Sequence, residues 1–421
     1  MLLAHIFLVL AIVLALLVLA QLALLGIELT QRLSLAGRQQ RQDAELFALR
    51  LQTAKSRQQR EVGAGSWNGV RKFKIDRVVE ECEGVKSFYL VPHDQKPLPS
   101  FLPGQYLTFE LDVPGQPSRV IRCYSLSDRP RPDYYRVTIK RIPAPVGKPG
   151  ARPGVGSGFF HDHLKAGDIL NVKAPGGGFY LDVNRSTPVV LLGGGVGLTP
   201  MMSMLNEIVT NSPGREVWFF FAVRNQAEHI MKAALETIAR DHPNVHLCVG
   251  YSRPQEKDEL GRDYHHAGRV NLDLLKARLP SNNFDFYLCG PGEMMSDLNL
   301  SLREWGVPEK SIHMEAFGPA SVKKPTPASG TAVDLGMALN VSFARSQRES
   351  GWNAQMDSLL DLALAEKIPV GYGCRAGNCG TCKTAVKSGK VKYLKEPGCE
   401  VEAGSCLICI CVPESNLVLE A

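Results

Sequence analysis

Pro188-Val189-Val190-Leu191-Leu192-Gly193-Gly194-Gly195-Val196-Gly197-Leu198-Thr199-Pro200, running on into Met201-Met202-Ser203-Met204-Leu205-Asn206-Glu207-Ile208-Val209, is the stretch on which the reading of this chain turns. An apolar run, a glycine loop and a helical pattern in direct succession describe a buried strand that turns sharply into a helix. Only glycine lets a backbone approach a pyrophosphate closely, and the helix N-terminus adds partial positive charge. The pattern recurs downstream. Val217 to Val223 and Val245 to Val249 read as further strands with helices between them, and Phe284 to Leu288 runs into Cys289-Gly290-Pro291-Gly292. Strands alternating with helices predict a parallel α/β sheet with its ligand at the strand ends.

Upstream the texture changes. From Trp67, short β-branched and aromatic stretches (Lys72 to Val79, Ser87 to Val91, Tyr106 to Leu111, Val120 to Leu126, Tyr135 to Lys140) are separated by Pro and Gly clusters, which predicts an antiparallel β-barrel. One strand reads Arg122-Cys123-Tyr124-Ser125-Leu126-Ser127, and period-2 geometry puts Arg122 and Tyr124 on one face. A guanidinium fork there can hold a phosphate, a tyrosine can lie against a flat ring, and Ser125 can hydrogen-bond a ring nitrogen. A half-buried strand with a surface arginine fits the same letters. Gly154-Val155-Gly156-Ser157-Gly158-Phe159-Phe160 then leads into His161-Asp162-His163, and Pro175-Gly176-Gly177-Gly178-Phe179 comes after them. Gly156 and Ser157 at a helix start offer backbone N–H groups to a pyrophosphate, and His161 and His163 read as polar residues of that helix start, not as metal ligands.

Downstream, Phe317 to Thr331 is dense in Pro, Ser, Gly and Lys, as a linker is. A new domain begins after it. Seven of the eleven cysteines fall between Cys374 and Cys411, which favours a local metal or cluster site over a disulfide framework. Gly373-Cys374-Arg375-Ala376-Gly377-Asn378-Cys379-Gly380-Thr381-Cys382 has the C-x4-C-x2-C spacing of a plant-type [2Fe-2S] loop. Glycines between the thiols let backbone N–H groups turn toward the sulfurs. Zinc prefers two short-spaced pairs and fits this loop poorly. A fourth ligand must come from Cys399, Cys406, Cys409 or Cys411.

The N-terminal end carries a different signal. Residues 1–29 are almost wholly apolar apart from His5, Gln21 and Glu28, and a helix of about 20 residues spans a bilayer core. A cleaved signal peptide would want a basic start and a shorter apolar run. The first basic residues, Arg32, Arg38, Arg41 and Arg50, place the chain beyond residue 30 on the cytoplasmic side of the inner membrane. Gln31 to Val62 is proline-free and reads as a helical stalk. Residues 30–77 hold eleven Lys/Arg against four acids, so they alone account for the formal net charge of +6. Without interleaved aromatics, that basic stretch reads as juxtamembrane and not as a nucleic-acid surface. A hydrophobic content of 44% with 21% charged residues excludes wholesale disorder.

In their order, the R-x-Y-S strand, the Gly/Ser helix start, the P-x-G-x-F segment, the G-G-G-x-G-x-T-P loop and the C-G-P turn resemble the ferredoxin-NADP reductase superfamily over about residues 67–318. The resemblance implies a flavin held by Arg122, Tyr124, Ser125, Gly156 and Ser157. It implies a dinucleotide at Gly193, Gly194, Gly195 and Gly197, with Thr199, Cys289, Gly290 and Pro291 lining the hydride-transfer site. Glu315-Ala316-Phe317 would end the domain near the flavin, with Phe317 covering its ring until nicotinamide displaces it. Catalytic roles fall to Ser125, Cys289 and Glu315, although Cys289 also reads as a small buried hydrophobe. Gly404 to Pro413 resembles the closing segment of the ferredoxin domain in oxygenase reductases. That selects Cys409, with Cys411 second, beside Cys374, Cys379 and Cys382.

The domain order resembles the reductase components of multicomponent oxygenases, in the branch of flavohaemoglobin and phenylacetyl-CoA epoxidase reductases. This implies electrons passing from NAD(P)H through FAD, in preference to FMN, and a [2Fe-2S] cluster to a terminal oxygenase, hydroxylase or desaturase. A 2′-phosphate would be met by Arg224, Ser252 and Arg253; no acid or arginine pair decides there, and the reading leans to NADH. The rivals are a respiratory quinone reductase and a non-enzymatic tether that docks a partner through its ferredoxin domain. The expected architecture is therefore multidomain: transmembrane helix 1–29, helical stalk 30–66, antiparallel β-barrel flavin domain 67–182, α/β parallel-sheet nicotinamide domain 183–318, linker 319–331 and α+β (β-grasp) ferredoxin domain 332–421.

Overall fold

Alternation of inward apolar and outward polar residues shapes the first domain. In β1 (Val70–Cys82) Phe73 and Ile75 are buried while Lys72 and Lys74 face solvent. With β2 (Val85–Pro92), β3 (Tyr106–Leu111), β4 (Val120–Ser125), β5 (Tyr135–Lys140) and β6 (Ile169–Gly176) it forms an antiparallel sheet in the order β4-β3-β6-β1-β2-β5. A bridge between Leu126 and Val137 joins the two edges, so the sheet curls around an aromatic core. Phe160, from helix α1 (Val155–Asp162), stands at the centre of that core. Its ring lies 5.1 Å from Phe88, 5.3 Å from Phe109 and 5.2 Å from Tyr124, each edge-on.

The structure, a computed structural model, describes residues 67–116, 119–144, 153–315, 317, 339–353, 356–395, 397–399 and 401–421. The expected membrane helix, stalk and linker lie outside the described residues. Among the described residues no helix is long and apolar enough to cross a membrane.

In the second domain β7 (Val189–Gly194), β8 (Val217–Val223), β9 (Val245–Tyr251), β10 (His266–Ala267), β11 (Asp285–Cys289) and β12 (Ile312–Glu315) form a parallel sheet in the order β10-β9-β8-β7-β11-β12. Its central strands are apolar on both faces because both faces are covered. Leu191, Phe219 and Phe221 join the core beneath α2 (Leu198–Asn211) and α3 (Lys232–Asp241). Val190, Leu192 and Phe220 join that beneath α4 (Leu272–Arg278) and α5 (Gly292–Glu304). Strand order reverses about β7, which makes the crevice between the ends of β7 and β11 the topological switch point.

Asp128 ties the barrel to this sheet. Ser203 Oγ donates to its carbonyl, Asn206 Nδ2 to its Oδ1 and Tyr134 Oη to its Oδ2, each at 2.8 Å. The third domain holds a mixed sheet, β14 (Arg348–Gly351), β13 (Asn340–Phe343), β19 (Leu417–Leu419), β15 (Lys383–Ser388) and β17 (Ser405–Leu407), with a separate pair β16 (Val391–Tyr393) and β18 (Cys411–Pro413). Helix α6 (Leu359–Ala365) is capped by the Ser358 hydroxyl and buries Leu359, Leu360, Leu362 and Ala363 in the core. The described residues of the three domains form one compact unit.

One local expectation is corrected. His161 and His163 lie at the C-terminal end of α1, with His163 its cap, because the helix already begins at Val155 after the extended Gly154. His161 Nε2 sits 2.8 Å from the Ile139 carbonyl oxygen, so the ring ties α1 to β5.

Phe160→Ala removes the ring that three others pack on, and should cost about 3–5 kcal/mol of stability in urea unfolding. A loss below about 1 kcal/mol would show that the core repacks without it.

Candidate functional site

At the switch point two loops meet backbone to backbone. A Cβ on Gly197 would fall 2.2 Å from the Cys289 carbonyl oxygen and 2.8 Å from the Gly290 nitrogen, and one on Gly194 would fall 2.7 Å from Pro291 Cδ. Gly195 adopts φ +53°, and nothing lies within 4 Å of where its Cβ would stand. It opens onto a groove of about 400 Å³ lined among others by Arg224, Glu228, Ser252, Arg269 and Asn271. Arg253 is not part of that lining. Arg224 is ion-paired with Glu228, so its charge is already engaged. This cradle, cleared of side chains and set at a helix start, fits a dinucleotide phosphate.

Cys289 ends β11 and stands in register with Glu315 at the end of β12. The thiol is fully buried, and burial pushes it well above its ordinary pKa, so it is present as a neutral thiol. Glu315 is 7% exposed, and its Oε2 has no hydrogen-bond partner. Desolvation pushes this carboxyl up to about 8, against the opposing charge of Lys395, so at neutral pH it holds a proton. Thr199 is buried and donates to the Val196 carbonyl at 3.0 Å, which closes the first turn of α2. Phe317, beyond β12, is exposed.

On the barrel, Arg122 and Tyr124 share a face of β4 against the start of α1. A Cβ on Gly156 would lie 2.7 Å from Arg122 Cγ and 3.2 Å from Tyr124 Oη. A guanidinium beside the unpaired N–H groups of a first helical turn is a donor set suited to a flavin phosphate. The Ser157 hydroxyl is committed elsewhere, accepting from Ile142 N at 3.2 Å and donating to Gly154 O at 3.1 Å. Ser125 is buried at the end of β4.

The cluster loop bends through left-handed residues at Arg375 (φ +53°), Gly377 (+75°) and Gly380 (+69°). Arg375 is held in that conformation by an ion pair with Asp361. As a result the amides of Ala376, Asn378 and Cys379 converge on Cys374 Sγ at 3.4, 3.3 and 3.3 Å, and the Cys374 amide donates to Cys379 Sγ at 3.3 Å. Cys382 Sγ lies 3.0 Å from Cys409 Sγ. Two thiol pairs result, as two irons require. Among the described residues no three His, Cys, Asp or Glu side chains form a mononuclear site. The hydrogen bond with Cys374, and then burial, pushes the Cys379 thiol up, and the hydrogen bond with Cys382, and then burial, does the same to Cys409. A bound cation would relieve both, so the donor set fits an iron cluster. Cys411 points away, donating to Leu407 O at 3.2 Å from within the core, and Cys399 Sγ stands 3.7 Å from Gly377 O.

The cluster loop lies directly on β4. A Cβ on Gly373 would meet Ile121 at 2.9 Å, and Arg122 Nη1 reaches the Gly373 carbonyl at 3.4 Å. Two participants were not singled out from the sequence. Tyr106 reaches from β3 to the loop backbone, and Lys395, half enclosed beside the loop, donates to Ala376 O at 3.4 Å.

Comparison with known proteins agrees with this layout. The chain matches the family model of the oxidoreductase NAD-binding domain over residues 191–299 and that of the 2Fe-2S iron-sulfur cluster binding domain over residues 345–414. It is 38% identical over 260 residues to a flavohemoprotein of Bacillus cereus (strain ATCC 10987 / NRS 248), covering 61% of this chain and 63% of that protein. The chain thus spans less than two thirds of the length of the curated relatives it matches. The flavohem-like FAD/NAD binding domain of nitric oxide dioxygenase from Vibrio cholerae O1 biovar El Tor is 32% identical, with a TM-score of 0.53, over 60% of this chain and 100% of that one. Phthalate dioxygenase reductase, 24% identical with a TM-score of 0.53, covers 84% of this chain and 98% of its own, and shares the fold. The chain belongs to the ferredoxin-NADP reductase superfamily and carries a [2Fe-2S] cluster binding domain over residues 345–414. FAD, NAD(P)H and the cluster are the cofactors of that oxidoreductase family.

Cys409→Ser should abolish the cluster's visible absorption and EPR signal, while Cys411→Ser should keep both; the reverse result would reassign the fourth ligand. A second expectation concerns pH. Because the folded-state pKa of Glu315, about 8, lies above its ordinary 4.5, the folded chain binds an extra proton and stability falls as pH rises between those values. Glu315→Gln should flatten that fall and gain most over the native protein at the alkaline end, read by urea unfolding across the range. Parallel curves for the two proteins would contradict the assignment.

Proposed function

We propose that this chain is a membrane-anchored, NAD(P)H-dependent reductase that passes electrons one at a time from its C-terminal cluster to a partner protein, an oxygenase, hydroxylase or desaturase. One observation carries the reading: the strand that bears Arg122, Tyr124 and Ser125 also lies against Gly373 at the mouth of the cluster loop. The candidate flavin face and the candidate cluster are thus built on the same strand. When bound, the flavin supplies the conversion of a two-electron hydride into single electrons, and the cluster carries them singly.

The chain's own residues divide the remaining work. Arg122 and the first turn of α1 at Gly156 and Ser157 hold the flavin phosphates, and Tyr124 and Ser125 orient its ring. Gly193, Gly194, Gly195 and Gly197 receive the dinucleotide phosphates, while Thr199, Cys289, Gly290 and Pro291 seat its nicotinamide end and exclude water. Glu315 keeps a proton beside them, and Phe317 covers the flavin ring. Cys374, Cys379, Cys382 and Cys409 hold the cluster. Glu228, lining the groove and paired with Arg224, favours a free ribose hydroxyl over a 2′-phosphate, which supports NADH as donor.

The apolar run 1–29 and the arginines beyond it support an anchor in the inner membrane with the folded domains on the cytoplasmic side. The domain make-up shared with phthalate dioxygenase reductase, by its name the reductase of a dioxygenase, supports an oxygenase-type acceptor.

The test is anaerobic titration of the detergent-solubilised protein with NADH and, separately, NADPH, following flavin and cluster absorption. Both bands should bleach, at lower concentrations of NADH than of NADPH. Bleaching of the flavin alone would contradict the relay.

A further inference from the structure

Tyr106 is used by none of the roles above, yet it joins the barrel to the cluster loop. As the first residue of β3 it stands opposite Ser125 in the β3–β4 register. Its ring is 5% exposed and lies against Gly177, where a Cβ would fall 2.7 Å from the ring carbons. Held there, its hydroxyl reaches into the third domain and donates to the Asn378 carbonyl oxygen at 2.6 Å, with the Gly398 carbonyl at 3.2 Å.

The peptide unit that owns the Asn378 oxygen ends in the Cys379 N–H, and that N–H donates to Cys374 Sγ at 3.3 Å. A continuous path of hydrogen bonds and one peptide therefore runs from the phenol on the flavin side to the sulfur of a candidate cluster ligand. A donor on a peptide oxygen polarises the N–H at its other end and strengthens the bond that N–H makes. Hydrogen bonds to ligating sulfur in turn favour the more negative, reduced form of a cluster.

We propose that Tyr106 is a positioning residue for electron delivery: its hydroxyl fastens the cluster loop to the flavin strand pair and, through the Asn378–Cys379 peptide, raises the reduction potential of the cluster. The inference rests on the relay reading of the preceding subsection. It differs from a packing role, since the ring alone would fill the space against Gly177.

Tyr106→Phe keeps the ring and removes only the donor. In the full-length, cofactor-loaded variant, an EPR-monitored redox titration should place the cluster at a more negative midpoint potential than in the native protein. Hydrogen–deuterium exchange of peptides spanning residues 374–380 should speed up. Transfer from flavin to cluster after mixing with NADH should slow by about ten-fold, the worth of one hydrogen bond in the docked population. A native potential together with native exchange in the variant would overturn the proposal while leaving the relay intact. Failure of NADH to reduce the cluster in the native protein would instead overturn the relay, and this proposal with it.

Discussion

Gly197 and the Cys289 carbonyl stand so close that no side chain fits between them, and the arrangement of the second domain depends on that contact. It pins the loop after β7 to the turn after β11 at the point where strand order reverses. One consequence is the open groove beside Gly195. Another is that Cys289 is carried inward to a fully buried position, level with Glu315 on the neighbouring strand. Since α2 starts from the same loop and Asp128 of the barrel is bound by Ser203 and Asn206 on that helix, the glycine contact also sets where the barrel meets the sheet.

Electrostatics at this junction favour holding a proton over building charge. Cys289 and Glu315 are both neutral at pH 7 because both are desolvated. The nearby cation, Lys395, comes from the third domain; burial lowers its pKa, with Glu315 and the cluster thiols pulling the other way. Lys395 thus stands within electrostatic reach of both the strand-end acid and the cluster loop. That is a property of the second and third domains packed together and of neither alone.

Much of this was legible in the chain because it is local. The strand, glycine loop and helix at 188–209 are contiguous, and the C-x4-C-x2-C spacing carries its own geometry, so both could be read without knowing what packs where. Period 2 correctly paired Arg122 with Tyr124 on one face of β4. The features that escaped are non-local or depend on a shift of a few residues. Tyr106 and Lys395 acquire their positions from partners far away in sequence. The histidines after Phe160 were read at a helix start, whereas the helix begins at Val155 and its short span leaves them at the far end. Cys409 was preferred to Cys411 only through the resemblance, since both are buried two positions apart; what separates them in space is Cys382, 3.0 Å from Cys409, while Cys411 donates to the Leu407 carbonyl.

In the proposed relay, electrons move from dinucleotide to cluster within one chain, across the β4 contact. The most direct test is to mix the cofactor-loaded protein anaerobically with NADH in a stopped-flow instrument and measure the rate of cluster reduction over a hundred-fold range of protein concentration, on the order of micromolar upward. A rate independent of protein concentration is the predicted result. A rate rising in proportion to it would mean that the cluster is reduced by another molecule's flavin, and would contradict the intramolecular relay.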